Sequence, residues 1–199
     1  QTVEDLYTQS FVLPYLVPML ENAGANVLLP RERDCQTAEI IIDNDGCLNT
    51  NSTYTERTAD KVWLQGTGKG FAHLRPQYID FENPFKEGTF RIAETVKKGK
   101  ESTAEWIPEI PQNGQYAVYV SYQTVPNSSD DALYTVYHKG GVSQFKVNQK
   151  MGGGTWVYLG TFGFDAGKSN ACKVTLSNRS AKAGQIVTAD AVKIGGGMG

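Results

Sequence analysis

The chain has 199 residues, a formal net charge of −2 and 40% hydrophobic residues, with 21 glycines and 10 tyrosines. This length allows one large or two small domains with a buried core, and the glycine and tyrosine content favours a turn-rich β protein. Its dispersed charges predict no nucleic-acid partner, and the longest apolar run, residues 11–20, is too short to span a membrane.

The pattern of residues 1–37 predicts a helix followed by a short strand. We call this α/β segment the stub, and its pattern differs from that of the rest of the chain. Apolar residues recur at helical spacing between positions 3 and 22, and Gly24 is placed to end the helix. Residues 25–29 form an apolar strand that Pro30 stops. The apolar side chains cover more than one helix face, so we expect the stub to dock on the following domain or to form a dimer.

From residue 38 to residue 195 the pattern changes to short strands and turns, which predicts a mainly β domain before a glycine-rich tail at 196–199. The predicted strands up to the centre of this domain are 39–46 with its turn, 62–65, 70–73, 89–94, 103–107 and 115–123. The segments 49–60, 81–88 and 125–130 are polar or irregular and are predicted to be loops.

Residues 131–164 predict three consecutive antiparallel strands joined by two glycine turns. The first covers 132–138, the second, 142–149, alternates apolar and polar residues, and the third covers 155–164. Leu159 breaks the alternation in the third strand, which indicates a β-bulge.

Two further strands, at 171–177 and 185–194, bring the total to nine or ten, typical of a β-sandwich or jelly roll. We expect the strands at 39–45 and 185–194 to be neighbours, because a domain inserted into another needs termini that lie close together.

Several motifs of the β region resemble the domain shared by golvesin and the C-terminal part of xanthan lyases. They are Y-T-V-x-H-x-G-G from Tyr134, V-N-Q from Val147, G-G-x-W-x-x-L-G-x-F-x-F from Gly153 and V-T-A-D-A-V from Val187. The resemblance implies a galactose-binding-like β-sandwich with a role in carbohydrate binding. The catalytic domain of such lyases has no counterpart in this chain.

A second resemblance concerns the stub. The run M-L-E-N-A-G-A-N-V from Met19, followed by R-x-x-D from Arg31, is similar to a segment of zinc-dependent N-acetylmuramoyl-L-alanine amidases. It implies that Glu4 is a zinc ligand of an amidase-like parent domain that the β-domain interrupts. The histidine ligands have no match, because His73 and His138 both fall in the β region. A catalytic zinc needs three protein ligands, so zinc is expected only in the intact parent domain.

Aromatic side chains are the first candidates for sugar contact, because a ring can stack on the apolar face of a pyranose. Loop residues with amide and carboxylate groups are the second kind of candidate. The alternative for each tryptophan is ordinary core packing. The candidates are Trp63, Trp106, Trp156, Tyr54, Tyr78, Asn127 and Asp130.

Asp43 and Asp190 are candidate ligands of a structural calcium ion. Asp43 lies in an Asp-Asn-Asp cluster of hard oxygen ligands, and the alternative there is a turn stabilised by its own side chains. The resemblance to galactose-binding-like modules implies calcium near the first and last strands, where Asp190 lies; the alternative is a buried hydrogen bond. Cys35 and Cys47 are close enough in sequence to form a disulfide, and Cys172 reads as a small buried hydrophobe.

The chain has no G-x-S-x-G, P-loop or C-x-x-C motif, so the sequence predicts no active site. The first functional hypothesis is a non-catalytic carbohydrate-binding module of a secreted, periplasmic or cell-surface bacterial protein, with a polysaccharide or peptidoglycan as its partner. The second is a portion of a peptidoglycan amidase, and the third is a structural or protein-interaction spacer.

Overall fold

The computed structural model describes residues 38–47, 51–71 and 83–196. The predicted helix and strand of the stub, together with Glu4, Cys35 and Tyr78, lie outside these residues. In the described ranges no helix is long and apolar enough to cross a membrane.

Fourteen strands and one turn of 3-10 helix, Pro84–Lys86, make up the regular structure of these ranges. The strands are β1 (Ile40–Ile42), β2 (Thr53–Arg57), β3 (Leu64–Gln65), β4 (Arg91–Glu94), β5 (Thr103–Ile107), β6 (Glu109–Ile110), β7 (Gly114–Val120), β8 (Ala132–His138), β9 (Gly141–Val147), β10 (Val157–Phe164), β11 (Gly167–Lys168), β12 (Lys173–Ser177), β13 (Ile186–Ala189) and β14 (Val192–Ile194). The prediction of nine or ten strands was too low, because several strands are only two or three residues long.

Two antiparallel sheets contribute their inner faces to one hydrophobic core. Their strand orders are β1-β14-β7-β10 and β2-β5-β12-β8-β9. Two smaller sheets have the orders β13-β4-β3 and β11-β6. The core draws on Val118 and Val120 of the first sheet and on Trp106, Tyr134 and Leu176 of the second. The prediction of a mainly β protein with a sandwiched core is confirmed.

The first and last strands of the domain are neighbours, as predicted. Ile40 pairs with Ile194 and Ile42 with Val192 in an antiparallel register. The prediction of one continuous strand over 185–194 is wrong, because the chain leaves one sheet at Ala189 and enters another at Val192. Asp190 and Ala191 form the break between the two strands.

The hairpin β8–β9 has the predicted turn, with Ala132 opposite Val147 and His138 opposite Gly141. The third predicted strand does not continue this meander. β10 instead pairs with β7 in the other sheet, where the Phe164 ring packs edge-on against Tyr116 with centroids 6.1 Å apart. The register shifts between Tyr158 and Gly160, so the bulge predicted at Leu159 is confirmed.

The predicted loop at 49–60 contains strand β2, so this prediction was wrong. β2 lies at the edge of the five-stranded sheet and pairs with β5. Tyr54 packs on Trp106, with ring centroids 5.4 Å apart, and the Glu56 carboxylate accepts a hydrogen bond from Arg91 Nε over 2.6 Å. An edge strand can bury polar side chains in ion pairs, and such a strand lacks the apolar alternation that identifies strands in sequence.

Trp106 occupies the centre of the core and is fully buried. Its ring stacks against Tyr134 with centroids 6.5 Å apart, and its indole N–H donates to the backbone oxygen of Asp190 over 3.2 Å. The side chain therefore both fills the space between the sheets and satisfies a buried carbonyl at the strand break.

We predict that Trp106→Ala lowers the free energy of unfolding by about 3–5 kcal/mol, since it leaves a large cavity and an unpaired carbonyl oxygen. Urea denaturation followed by circular dichroism measures this change. Val142→Ala, at a position 55% exposed on β9, is the control and should change the free energy by less than about 1 kcal/mol. Equal losses in the two variants would contradict the placement of Trp106 at the centre of the core.

Two carboxylates are buried where the first strand ends and the last begins. Asp43 follows β1, Asp190 precedes β14, and neither side chain reaches solvent. Burial raises the pKa of the Asp190 carboxyl group to about 8, and the negative charges of Asp43 and Asp45 act in the same direction. Two carboxylates placed together in a region of low dielectric cannot easily both be ionised, so Asp190 holds its proton at neutral pH.

Because the folded chain keeps this proton, we predict that the free energy of unfolding falls as the pH rises. An aspartate in the unfolded chain ionises near pH 3.9, so between about pH 4 and pH 8 only the folded chain keeps the proton. The free energy of unfolding should therefore fall by up to about 1.4 kcal/mol per pH unit over this range. Urea denaturation at several pH values should show a steeper slope for the wild type than for Asp190→Asn, which cannot ionise. Identical slopes would show that Asp190 titrates normally.

Candidate functional site

An aromatic cluster adjoins the buried carboxylates at the end of the sandwich where β7 ends and where β10 and β14 begin. We call Phe71, Phe85, Trp156, Gln123 and Asp190 the aromatic–acid site. Phe85 comes from the 3-10 turn, Trp156 immediately precedes β10, and Gln123 follows β7 by three residues. Short connections from five separate parts of the chain thus meet at one end of a rigid scaffold, which is where β-sandwiches commonly carry binding sites.

The three aromatic rings of the site pack against one another. The centroid of Phe71 lies 5.0 Å from Trp156 and 5.1 Å from Phe85, and Phe85 meets Trp156 at 5.5 Å in an edge-on arrangement. Phe71 is buried, whereas Phe85 and Trp156 are each only partly buried. Phe71 therefore anchors two aromatic residues that are only partly buried, as a sugar-stacking platform requires.

Asp190 holds the polar side of the site in place. Its carboxyl group accepts hydrogen bonds from the backbone N–H of Phe71 over 3.1 Å and from Gln123 Nε2 over 3.2 Å. Gln123 Nε2 also lies 3.5 Å from the backbone oxygen of Phe85. The amide orientation is thereby set, and the Gln123 carbonyl oxygen, which accepts no hydrogen bond within the described part of the chain, remains available to a ligand.

Two glycines allow the close approaches on which the site depends. A Cβ atom at Gly70 would lie 2.0 Å from the backbone oxygen of Thr89 and 3.1 Å from Asp190 Oδ1. A Cβ atom at Gly153 would lie 2.3 Å from the backbone nitrogen of Thr124. No other residue fits at either position without a shift of the backbone. Gly153 therefore allows the loop at 152–154, which precedes Trp156, to pack closely on the segment after β7.

Of the aromatic residues proposed for sugar contact, the structure places Trp156 in the site. Trp106 is fully buried and Trp63 nearly so, and both belong to the core, which corrects their assignment as stacking surfaces. Tyr54 is also packed on the core, and its hydroxyl donates to Glu56 Oε1 over 2.8 Å. Burial raises the pKa of Tyr54 well above its usual value.

The loop residues proposed for sugar contact hold other loops in place. Asn127 has a left-handed backbone (φ 64°), and its Nδ2 donates to the backbone oxygen of Gly184 over 2.7 Å. Asp130 pairs with Lys150 at 2.8 Å and Lys182 at 2.7 Å, and these bonds lower the pKa of its carboxyl group to about 2. Within the described ranges neither side chain contacts the aromatic–acid site.

The described residues do not complete a calcium site at Asp43 and Asp190. Asp43 Oδ1 accepts the backbone N–H of Asp45 over 2.8 Å, and both oxygens of Asp190 already accept N–H donors. Calcium takes six to eight oxygen ligands, and no group of three or more His, Cys, Asp or Glu side chains in these ranges is placed to hold a metal. The calcium ion therefore stays a prediction.

Two of the three cysteines lie within the described ranges. Cys172 is buried in the core, as predicted, and Cys47 is a partly buried free thiol. Its proposed partner Cys35, and the proposed zinc ligand Glu4, lie outside the described residues.

Comparison with known proteins agrees with the motifs and the fold. The model of the golvesin C-terminal domain family matches residues 84–196. A xanthan lyase of Bacillus sp. (strain GL1) is 33% identical over 96 residues, which cover 48% of this chain and 10% of that protein. The structure of Paenibacillus xanthan lyase matches 84% of this chain and 14% of its own, with a TM-score of 0.55 and 24% identity.

These matches define both the extent and the limits of the relationship. The chain spans about a tenth of the length of the curated xanthan lyase, so the likeness concerns one part of a much longer protein. The structural match shows a shared fold, and the family match takes in more than half of the chain, including β4 to β14 and two of the three aromatic rings of the site. The chain therefore belongs to the golvesin C-terminal domain family.

Proposed function

We propose that this chain is a non-catalytic carbohydrate-binding module and that a sugar ring stacks on Trp156 in the aromatic–acid site. The observation that carries this proposal is the partly exposed Trp156 ring, held by Phe71 and Phe85 beside the available carbonyl oxygen of Gln123. An apolar ring face next to a fixed hydrogen-bonding group matches the two sides of a pyranose, one apolar and one rich in hydroxyls.

The family relationship supports the same function. A protein named xanthan lyase contains a region that is 33% identical to 96 residues of this chain, which favours a polysaccharide as the ligand. We propose that the ligand is a polysaccharide or the glycan of peptidoglycan, bound by a secreted, periplasmic or cell-surface protein. The lyase activity itself is not part of the proposal, because the similarity covers only a tenth of that enzyme.

We predict that Trp156→Ala weakens glycan binding by about tenfold or more, because a buried aromatic contact at the centre of an interface contributes at least about 1.4 kcal/mol. A glycan array with the wild-type chain identifies a ligand, and isothermal titration calorimetry then compares the variants. Leu64→Ala is the matched control, since Leu64 is an apolar side chain 55% exposed on β3 and is no part of the site. Its affinity should equal that of the wild type.

Several outcomes would contradict the proposal. Binding of no glycan by the folded chain would favour the spacer hypothesis, and equal losses in both variants would place the ligand elsewhere. Zinc-dependent hydrolysis of peptidoglycan by the full-length protein would favour the amidase hypothesis, in which Glu4 has its proposed role. Circular dichroism and a thermal unfolding midpoint close to that of the wild type are required of each variant.

A further inference from the structure

A lysine lies beside Trp156 on the outer face of the four-stranded sheet. Lys193 of β14 and Tyr158 of β10 are both opposite Tyr119 of β7, so the three side chains form a row across the sheet. Lys193 Nζ lies 4.3 Å from the centre of the Tyr119 ring and 5.5 Å from that of Trp156. The ammonium group therefore borders the aromatic–acid site through Trp156.

The charge on Lys193 is less well compensated than that of Lys173, a lysine buried to a similar degree. Its side chain is 12% exposed, yet the nearest carboxylate oxygen among the described residues, Glu39 Oε2, lies 4.0 Å away, too far for a direct hydrogen bond. Lys173 is buried to a similar degree, at 16% exposed, and pairs with Glu105 at 2.8 Å. Exposed lysines such as Lys61 and Lys139 also have carboxylate partners at 2.6 and 2.8 Å.

A buried ammonium group without hydrogen-bond acceptors is energetically unfavourable. Burial lowers the pKa of Lys193, and the attraction of Glu39 opposes this effect only in part. The faces of Tyr119 and Trp156 attract the cation but accept no conventional hydrogen bond. An anionic oxygen brought by a ligand would therefore find N–H donors that no described protein group uses.

We propose that Lys193 forms an anion subsite and that the module selects a sugar bearing a carboxylate, such as a uronic acid residue. This inference rests on the proposed function. Lys193 Nζ lies over the face of the Trp156 ring, 5.5 Å from its centre, so a carboxylate on a pyranose bound at the exposed part of this ring comes within reach of the ammonium group. The carboxylate then accepts hydrogen bonds from Nζ, and Tyr158, 48% exposed and 5.2 Å from Tyr119 between ring centroids, extends the apolar surface for a neighbouring sugar.

The test compares polyuronate oligosaccharides with the same oligosaccharides after chemical reduction of their carboxyl groups, so that only the charge differs. We expect the wild type to bind the acidic form about tenfold to a hundredfold more tightly, because one hydrogen bond to a charged group accounts for a difference in affinity of this size. Lys193→Met should bind both forms equally. Lys146→Met, which removes the same charge from an exposed position on β9, should keep the preference of the wild type.

Stability measurements separate a loss of selectivity from a loss of folding. Lys193→Met removes a buried charge, so its thermal unfolding midpoint should be no lower than that of the wild type. Lys193→Gln, which keeps a polar group without the charge, should lose the preference in the same way.

Each remaining outcome overturns the inference. Equal binding of acidic and neutral forms by the wild type, or a preference that survives in Lys193→Met, would do so while the proposed function stands. A preference for sulfated glycans over polyuronates would exclude the carboxylate as the recognised group. Binding of no glycan by the folded chain would contradict the proposed function as well.

Discussion

The hydrogen bonds of Asp190 connect segments that lie far apart in the sequence, and both the core and the site depend on them. Its backbone oxygen accepts the indole N–H of Trp106 at the centre of the sandwich. Its carboxyl group accepts hydrogen bonds from the backbone N–H of Phe71 and from Gln123 Nε2, and these bonds place the aromatic rings. The residue lies at the break between β13 and β14, beside the buried Asp43. A change at this point therefore alters core packing, strand pairing and the proposed sugar platform together.

Two features near Trp156 are unfavourable for stability alone. Trp156 is a large aromatic residue that is only partly buried, and the Lys193 ammonium group is largely buried without a hydrogen bond to any residue that the structure describes. Residues that break the rules of packing without an evident gain in stability are most often found where a protein binds its ligand. In our account a carboxylated sugar corrects both features, because it covers the ring and accepts hydrogen bonds from the lysine.

The sequence predicted local structure better than long-range arrangement. The ranges of β5 and β8, the bulge at Leu159 and the mainly β class follow from side-chain alternation and glycine turns, which are local signals. The partner of β10 and the strand β2 were missed because pairing across sheets and ion pairs at an edge leave no periodic pattern. Trp156 and Asp190 were singled out separately, but nothing in the sequence shows that Phe71, Phe85 and Gln123 join them, since these contacts arise only when loops meet in the folded chain.

The most direct test of the account uses the indole N–H signals of the three tryptophans in a two-dimensional NMR spectrum recorded during glycan titration. Trp156 lies in the proposed site, whereas Trp63 and Trp106 are buried in the core. We expect the Trp156 signal, assigned by its loss in Trp156→Phe, to shift in proportion to the bound fraction while the other two stay in place. Shifts at Trp63 or Trp106 with an unchanged Trp156 signal would contradict the central claim that the aromatic–acid site binds the sugar.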